Sequence, residues 1–374
     1  MASEDTAADG GEGAAARLLA ALRDDPATFV RSFHLELFGA APELAARFPP
    51  GLGEHRGGFV RMAEHILETF AEGADPPRLI DLLGQLGRDH RKHRLDERDY
   101  RLAQAAFAKA LVATARGSGD GAFAARAAAL VCQVMEQEAG RDQTPETWEA
   151  EVVERIDHPG PTVVVRLVAE AAARPAPFAV SQYLATQIPQ CPGHWRYFSP
   201  AAPPNQNGEL EFHIRAVPGG AVSGSVLKHA RPGDRWRFGA SYGSLGAGAA
   251  DVPADQAVLM VAGDTGLAPL RSIVLALALR SANPRITLLV GARKRSELYD
   301  LPNLRDLARS NVWFNVVPVL DPWPWAALAR TAAEYAARSE LILLSGPPTM
   351  IATSLDAFRS SGVPLDKVRH DPIA

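Results

Sequence analysis

Four ionisable side chains lie at positions on apolar helical faces in the N-terminal part of this sequence. They are His34, His90, Tyr100 and Glu138. Steps of three and four residues, as from Leu83 to Leu86 and on to His90, place side chains on one face of a helix. Burying an unpaired ionisable group is unfavourable, so each of these groups needs a partner or a ligand. The set predicts either a shared site or four core side chains that are hydrogen-bonded to the protein.

The basic run Arg88–Arg101 allows two other interpretations. His90 and His93 have the spacing of a zinc pair, with Glu97 one turn further along as a third ligand. The neighbouring Arg and Lys side chains would repel a bound cation. The same Arg and Lys side chains could form a nucleic-acid-binding surface. Acidic residues interrupt the run, however, which favours a solvated helix end.

The segment from Phe33 to Phe48, FHLELFGAAPELAARF, and the later segment Leu86–His90, LGRDH, resemble the globin domain of flavohaemoglobins. The resemblance implies that His90 is the proximal ligand of a haem b iron and that Phe48 packs on the haem. It also implies a proximal hydrogen-bond network of Tyr100 and Glu138, which would make the imidazole more basic and favour rearrangement of bound oxygen.

The distal side departs from that family. His34 stands where the family has a tyrosine, and the distal glutamine aligns with His55 or with Gly58. We prefer His55 because it shares a helical stripe with Phe59, which is then a further haem contact. A distal histidine could donate a hydrogen bond to bound oxygen, or it could bind the iron and give a six-coordinate haem.

A second set of residues suits a flavin. Arg196-Tyr-Phe-Ser199 offers a guanidinium for a pyrophosphate, aromatic rings for an isoalloxazine and a hydroxyl group. The glycine-rich segment 219–227 can bring backbone N–H groups against phosphate. With Ser181-Gln-Tyr183 upstream, these segments resemble the FAD domain of ferredoxin reductases. The resemblance places these residues at FAD: Tyr183, Arg196, Tyr197, Phe198, Ser199, Gly220, Val222 and Ser223. Phe198 replaces the usual tyrosine of the motif.

Two glycine turns at strand ends suit a nicotinamide dinucleotide. The first reads Gly263-Asp264-Thr265-Gly266-Leu267-Ala268-Pro269, between a strand and a helix, so that a pyrophosphate could lie at the helix N-terminus. The second reads Ser345-Gly346-Pro347, and Ser345 replaces the cysteine that is usual there. Both resemble the nicotinamide-binding turns of the ferredoxin-reductase family.

Two further segments bear on the cofactors. Arg293, Lys294 and Arg295 follow a strand and could neutralise a 2′-phosphate, which slightly favours NADPH over NADH, or they could merely lie on a surface turn. His370 and Asp371 belong to a C-terminal segment that resembles the family's segment beside the flavin. The family's terminal aromatic residue is Ile373 here.

The surrounding pattern predicts the elements that position these residues. Helical periodicity dominates the first part, short strand-like runs between Pro- and Gly-rich turns follow, and strands then alternate with helices. We therefore expect a multidomain protein with an all-α module, an antiparallel β-barrel and an α/β parallel-sheet module in series. The resemblances imply that these are a globin, an FAD domain and an NAD(P) domain. The expected boundaries are a disordered tail 1–15, the globin-like haem domain 16–140, a linker 141–147, the FAD domain 148–253 and the NAD(P) domain 254–374.

Composition narrows the class of protein. The 374 residues suffice for two or three domains, and a formal charge of −4 gives no general basic footprint for nucleic acid. Two cysteines cannot form a disulfide framework or a four-thiolate metal site. No stretch is long and apolar enough for a membrane span, and the N-terminus lacks the pattern of a signal peptide. Composition thus favours a cytoplasmic protein. The resemblance implies O₂, NO and NAD(P)H as partners, with no obligate protein partner.

The whole resemblance implies that electrons pass from NAD(P)H through FAD to haem, where bound oxygen oxidises nitric oxide to nitrate. Two alternatives remain open. One is a haem-based gas or redox sensor with six-coordinate iron, for which the histidine-rich distal side is the motivating feature. The other is a flavin reductase whose globin is degenerate.

Overall fold

The computed structural model describes residues 5–48, 53–72, 76–116, 119–249, 251–320 and 325–371. The chain divides into two compact units, Met1–Glu146 and Thr147–Ala374. The division falls within the segment 141–147 that was expected to be a linker. None of the helices among these residues is long and apolar enough to cross a membrane.

The first unit is helical. Its helices are α1 (Asp5–Asp24), α2 (Pro26–Ala40), α3 (Pro42–Ala45), α4 (Gly53–Glu72), α5 (Pro76–His90), α6 (Glu97–Thr114) and α7 (Gly121–Arg141). Helix α1 covers most of the segment for which a tail was expected, because Ala14 and Ala15 are buried in the core of the unit. Asp25 caps α2 by accepting from the Thr28 backbone N–H at 3.0 Å.

Glycine sets the distance between α5 and α7. A Cβ atom on Gly87 would lie 2.2 Å from the Met135 carbonyl oxygen, and one on Gly84 would lie 3.0 Å from Glu138. The backbones of α5 and α7 therefore come so close at Gly87 that any side chain there would collide with Met135. This crossing brings the end of α5, which carries His90, close to the second half of α7.

The second unit begins with an antiparallel sheet. Its strands are β1 (Trp148–Asp157), β2 (Thr162–Ala169), β3 (Tyr183–Gln187), β4 (Trp195–Phe198), β5 (Glu209–Arg215) and β6 (Arg235–Tyr242), with α8 (Ala221–His229) between the last two. The strand order is β4-β3-β6-β1-β2-β5. An antiparallel bridge from Pro200 to Phe212 joins the chain after β4 to β5, which closes the sheet into a barrel.

The remainder is a parallel sheet between helices. Its elements are β7 (Ala257–Gly263), α9 (Leu267–Leu277), β8 (Arg285–Ala292), α10 (Leu301–Ser310), β9 (Phe314–Leu320), α11 (Ala326–Ala336), β10 (Leu341–Ser345), α12 (Pro348–Ser360) and β11 (Val368–Arg369). Alternate residues of β7 face the two layers: Val258 and Met260 contact the α9–α10 side, and Leu259 and Val261 the α11–α12 side. The predicted barrel strands and parallel strands are confirmed.

The strand order of this sheet is β11-β10-β7-β8-β9. The chain leaves β7 toward β8 and β9 and then returns to form β10 on the other side of β7. This reversal creates a crevice between the carboxyl ends of β7 and β10, the place where open α/β sheets bind their ligands.

Candidate functional site

Three tyrosines form a cluster where β3, β4 and β6 run side by side. The ring centroids of Tyr183 and Tyr197 are 5.5 Å apart and nearly perpendicular, and Tyr242 lies 5.9 and 6.1 Å from them. The pairing of Tyr183 with Tyr242 across β3 and β6 places these two rings together. Tyr197 is 43% exposed, so the cluster has an aromatic face open to a planar ligand. Tyr242 was not among the predicted site residues.

The Arg196 side chain lies on β4 in a partly desolvated setting. Arg196 is opposite Thr186 of β3, its Nη1 donates to the Trp195 carbonyl at 2.8 Å, and burial lowers the pKa of the guanidinium. Its neighbour Phe198 lies 6.4 Å from Phe212 of the barrel core, so this ring is part of the core packing. Ser199 follows β4 directly and is partly exposed.

Helix α8 offers an open N-terminus beside the same strand. Gly220 precedes the helix, no side chain caps it, and Val222 is buried. The Ser223 hydroxyl accepts from the Val217 N–H at 3.3 Å, which holds the preceding turn against the helix. The Cys191 sulfur lies 3.9 Å from the Ala221 carbonyl, so the turn that leads into β4 touches the first turn of α8. Free N–H groups and the helix dipole suit a phosphate there.

A guanidinium fixes the other end of α8. Arg155 of β1 donates to the Ala230 carbonyl at 2.8 Å, to Leu227 at 2.6 Å and to Val226 at 3.2 Å. These carbonyls lie at the C-terminal end of α8, where helix carbonyls run out of backbone partners; among the three, Val226 also accepts from the Ala230 N–H at 3.2 Å. A cation at a helix C-terminus also interacts favourably with the helix dipole. Arg155 therefore anchors α8 to the barrel, and sequence reasoning missed it.

The C-terminal segment lies against the tyrosine cluster. Asp371 accepts from the Ser244 backbone N–H at 3.1 Å, and burial raises the pKa of this carboxyl. A Cβ atom on Gly243, whose φ is +95°, would lie 2.9 Å from Asp371 and 3.0 Å from Tyr183. His370 Nδ1 is bonded to the Asp371 carbonyl at 2.9 Å. The predicted residues His370 and Asp371 are thus brought together with Tyr183.

The two glycine turns meet at the crevice between β7 and β10. A Cβ atom on Gly266 would lie 2.3 Å from the Ser345 carbonyl oxygen and 2.5 Å from the Gly346 nitrogen, and one on Gly263 would lie 2.6 Å from the Met350 sulfur. We call this surface, formed by Gly263, Gly266, Ser345 and Gly346, the glycine cradle. Other residues predicted at the first turn are half-buried or buried beside it: Thr265, Leu267, Ala268 and Pro269. Pro347, predicted at the second turn, contacts the Gly263 position.

Asp264 of the first turn is held by the barrel. It has a left-handed φ of +52°, and its carboxylate accepts from Arg215 at the end of β5. Burial raises the pKa of the Asp264 carboxyl, with Arg215 acting in the opposite direction. A strained conformation at a non-glycine residue commonly marks a functional site.

The basic residues after β8 are exposed. Arg293, Lys294 and Arg295 all have exposed side chains. The Arg293 backbone N–H donates to Glu297 at 3.0 Å, and its guanidinium lies 3.5 Å from the same carboxylate. The arrangement leaves cationic groups at the strand end where a ribose 2′ substituent would lie.

A buried polar network joins the barrel to the parallel-sheet layer, and no sequence pattern indicated it. Arg271 Nη1 lies 2.9 Å from Glu211 Oε1, and the two nitrogens of His213 are each 2.9 Å from a partner, Glu211 and the Tyr299 hydroxyl. Burial opposes ionisation of Glu211, but His213, Arg271 and Arg166 outweigh it and lower its pKa to about 2. Burial raises the pKa of Tyr299 well above its usual range, so its hydroxyl keeps its proton.

The residues of the helical unit that the globin resemblance assigned to haem contact other rings. His34 stacks on Phe38 at 5.4 Å, Phe38 lies 6.4 Å from Phe48, and Phe48 stacks on His93 at 4.6 Å. Burial lowers the pKa of His93 to about 3, so this imidazole is neutral. Phe59 lies against another ring, that of Phe33, at 4.6 Å. The side chain of His55 lies outside the described residues.

The expected proximal network is also absent among the described residues. Glu138 accepts from Arg88 at 2.9 Å and from Arg141 at 2.5 Å, while Tyr100 is buried beside Cys132 and its pKa is raised by burial. The Nδ1 atom of His90 is 2.7 Å from the Leu86 carbonyl. A carboxylate held by two guanidinium groups cannot make the imidazole more basic as the resemblance implied. This donor set does not fit the expected haem site, and the part of the chain that is described holds no three-residue His, Cys, Asp or Glu cluster for a metal.

Two family models match the chain. Residues 150–246 match the oxidoreductase FAD-binding domain, and residues 260–355 match the oxidoreductase NAD-binding domain. Both lie in the second unit, and they contain the tyrosine cluster, the start of α8 and the glycine cradle. The predicted cofactors FAD and NAD(P)H are supported at this level, whereas haem b has no such support.

Curated relatives are reductase components. The reductase component of phenol 2-monooxygenase from Pseudomonas sp. (strain CF600) is 38% identical over 150 residues, 40% of this chain and 41% of the relative. The ferredoxin–NAD(P)⁺ reductase component of the naphthalene 1,2-dioxygenase system of Pseudomonas putida is 37% identical over 166 residues, 44% of this chain and 48% of the relative. The chain thus spans less than half the length of these two relatives.

A flavohemoglobin is among the similar solved structures. The crystal structure from Malassezia yamatoensis, with bound FAD and heme, has a TM-score of 0.72 over 94% of this chain and 97% of its own, at 14% sequence identity. At that identity the likeness is one of fold alone, and it does not carry haem chemistry to this chain. The order of a helical region, a β domain and a parallel-sheet domain is shared.

These findings correct three predictions and leave a fourth without support. Identification with the flavohaemoglobins is wrong, because the curated relatives are oxygenase reductase components. The all-α globin of the predicted fold is corrected to a helical region, followed by a two-domain reductase fold. Nitric oxide dioxygenase as the function is wrong, because the curated relatives are reductase components. The expected haem b and gases have no support among these matches. The chain is an oxidoreductase with an FAD-binding domain and an NAD-binding domain.

Proposed function

We propose that this protein is a flavin-dependent NAD(P)H reductase that delivers electrons to a separate redox protein of an oxygenase system. The observation that carries the proposal is the glycine cradle, where backbone approaches backbone at the switch point of the parallel sheet. The glycines let the two turns pack closely where the strand order reverses, and the crevice at such a switch point is where open α/β sheets bind dinucleotides. FAD, when bound, would take a hydride, two electrons with one proton, from the nicotinamide and release the electrons to the acceptor.

The barrel residues have the properties that binding FAD requires. The partly desolvated Arg196 guanidinium and the N–H groups at the start of α8 would hold the pyrophosphate, since both offer donors to an anion. The cluster of Tyr183, Tyr197 and Tyr242 would contact the isoalloxazine. The segment around Asp371 lies against Tyr183 and would keep water from that side of the ring.

The acceptor is inferred from the relatives, whose names make them reductase components of oxygenase systems. We extend that role to this chain, replacing our expectation that no protein partner is needed. The sequence has two cysteines, so an acceptor with a four-thiolate iron–sulfur cluster would have to be supplied from outside it. The exposed Arg293, Lys294 and Arg295 support use of NADPH beside NADH.

Arg196→Gln tests the flavin site. We expect FAD affinity to weaken about tenfold or more, because a charge-assisted contact to phosphate contributes more than a neutral one. Arg237→Gln is the matched control: Arg237 lies opposite Gln187 on the other neighbour of β3, is half exposed and pairs only weakly with Glu149. Titration of flavin fluorescence measures both affinities. Equal FAD affinities for the two variants would contradict the role of Arg196.

Turnover tests the whole proposal. The FAD-loaded protein should reduce ferricyanide with NADH or NADPH, and it should reduce a two-iron ferredoxin under the same conditions. If the protein reduces ferricyanide but no one-electron protein acceptor, it is a flavin reductase. That result would contradict the proposal that it delivers electrons to a separate redox protein.

A further inference from the structure

Arg271 lies one turn inside α9 and outside the flavin and nicotinamide sites described above. This helix begins at Leu267, directly after the glycine cradle. The Arg271 side chain is 12% exposed, so its charge is largely removed from water. A buried guanidinium requires several oxygen partners, and here those partners come from both layers of the second unit.

Arg271 contacts two oxygens of the barrel through one atom. Its Nη1 donates to the Ala201 carbonyl at 2.8 Å and lies 2.9 Å from Glu211 Oε1. Ala201 and Glu211 are themselves paired by a backbone hydrogen bond at 2.7 Å, next to the bridge that closes the barrel. Arg271 therefore binds the barrel next to the Pro200–Phe212 bridge, where the sheet closes.

The same guanidinium contacts the parallel-sheet layer. Its Nε lies 2.9 Å from Asp300 Oδ2, and the other oxygen of Asp300 accepts from Asn303 at 2.7 Å. Asp300 directly precedes α10. The contact between Nε and Oδ2 is an ion pair without hydrogen-bond geometry. Through its separate Nη1 and Nε atoms, one guanidinium thus connects the barrel, α9 and the start of α10.

A second link runs parallel to it. His213 of β5 donates through Nε2 to ionised Glu211, and its Nδ1 is hydrogen-bonded to the Tyr299 hydroxyl, each at 2.9 Å. His213 is 5% exposed. Each group in this series of hydrogen bonds, Glu211, His213 and Tyr299, has a partner. The series therefore favours one geometry for the contact between the barrel and the parallel-sheet layer.

We propose that Arg271, supported by the His213–Tyr299 link, is a positioning residue that holds the glycine cradle at a fixed place relative to the flavin-binding barrel. The proposal rests on the proposed function, since it concerns how nicotinamide reaches flavin. A hydride moves only between atoms in close contact, and a misplacement of about 1 Å can cost two orders of magnitude in rate. Arg271 touches neither cofactor site and acts through α9.

Arg271→Lys in the full, FAD-loaded chain is the test, because it keeps the charge and removes the planar fork. The matched control is Arg166→Gln, since Arg166 Nε binds the same Glu211 at 2.7 Å but from β2, within the barrel. Anaerobic stopped-flow mixing with NADH and NADPH gives the limiting rate of flavin reduction and the Kd of the nucleotide. We expect Arg271→Lys to lower the limiting rate about tenfold or more, with little change in Kd or FAD content. The control should keep the limiting rate of the unaltered protein.

The outcomes separate the two proposals. If neither nucleotide reduces the flavin of the unaltered protein, both the proposed function and this inference are overturned. If the unaltered protein is reduced but Arg271→Lys retains its limiting rate, or loses it no more than Arg166→Gln does, only the positioning role is overturned. If Arg271→Lys does not fold, Tyr299→Phe decides: a limiting rate lowered about threefold or more at unchanged Kd supports the role, and an unchanged rate overturns it.

Discussion

At the scale of single residues, two features shape the second unit. One is glycine at positions where a side chain would collide with the backbone, and the other is buried charge that has partners of opposite charge. Gly266 allows the backbone of the first turn to reach Ser345. Glu211 remains ionised inside the protein because Arg271, Arg166 and His213 surround it. Each feature follows from general physics, yet each depends on residues far away in the chain.

Gly266→Ala should impair the cradle selectively. The added Cβ would lie 2.3 Å from a backbone oxygen that cannot rotate away, so the two turns must separate. We expect the rate of flavin reduction by NAD(P)H to fall about tenfold or more, while FAD affinity changes little. Stopped-flow reduction and FAD titration of the same preparation measure the two effects. A parallel loss of FAD would show that the cradle and the barrel site are not separate.

Glu211→Gln should change stability in a pH-dependent manner. The Glu211 pKa is lowered from 4.5 to about 2 in the folded protein, so its stabilising contribution is fully present above pH 4.5 and is lost as the pH falls toward 2. We expect the variant to lose about 3 kcal/mol of unfolding free energy at neutral pH. Urea unfolding at several pH values should show this difference shrinking below pH 4.5. A difference that does not depend on pH would refute the ion-pair account.

At the scale of elements, helix α8 and the closure of the barrel position the flavin site. The N-terminus of α8 is open, and its C-terminus is bound by Arg155. The turn before β4 touches the first turn of the helix through Cys191. The helix is therefore contacted at both ends, and no side chain caps its N-terminus.

Arg155→Gln should loosen α8. Removing the cation that binds three terminal carbonyls should cost about 1–2 kcal/mol of unfolding free energy and weaken FAD binding several-fold. Arg235→Gln is the control, because Arg235 is 55% exposed and pairs with surface carboxylates of the same sheet. That control should differ from the unaltered protein by less than about 1 kcal/mol. Thermal unfolding with and without FAD measures both, and equal behaviour of the two variants would argue against the anchoring of α8.

At the scale of the whole molecule, only the second of the two compact units has features that suit the binding of FAD and NAD(P)H. The second unit has cofactor geometry and family matches, whereas the first has aromatic stacking and ion pairs at the positions that the globin resemblance singled out. NAD(P)H oxidation is therefore expected to depend on residues of the second unit.

His90→Ala in the full chain tests this division. His90 contacts the Leu86 carbonyl and the ring of His93. We expect the rate of flavin reduction by NAD(P)H to change by less than about twofold, because the FAD-binding and NAD-binding matches both lie in the second unit. A large fall in this rate at unchanged FAD content would show that the helical unit takes part in the reaction.

Local patterns predicted much of the second unit, because strand alternation and glycine turns are encoded within a few neighbouring residues. Val258–Ala262 and the turn after it are examples. The link from Arg271 to Glu211 spans 60 positions, so no local pattern contains it. In the helical unit the spacing correctly placed Tyr100 in the interior, but it could not show that Glu138 pairs with Arg88. Partners that meet only in the folded chain account for most of what the sequence did not predict.

The central claim is that this chain passes electrons from NAD(P)H to FAD, and the most direct test is one anaerobic titration. The purified full chain is loaded with FAD, and its visible flavin absorbance is followed as NADH or NADPH is added. The account predicts that the flavin band is bleached with one equivalent of nucleotide and returns when ferricyanide is added. A bound flavin whose absorbance neither nucleotide changes would contradict it.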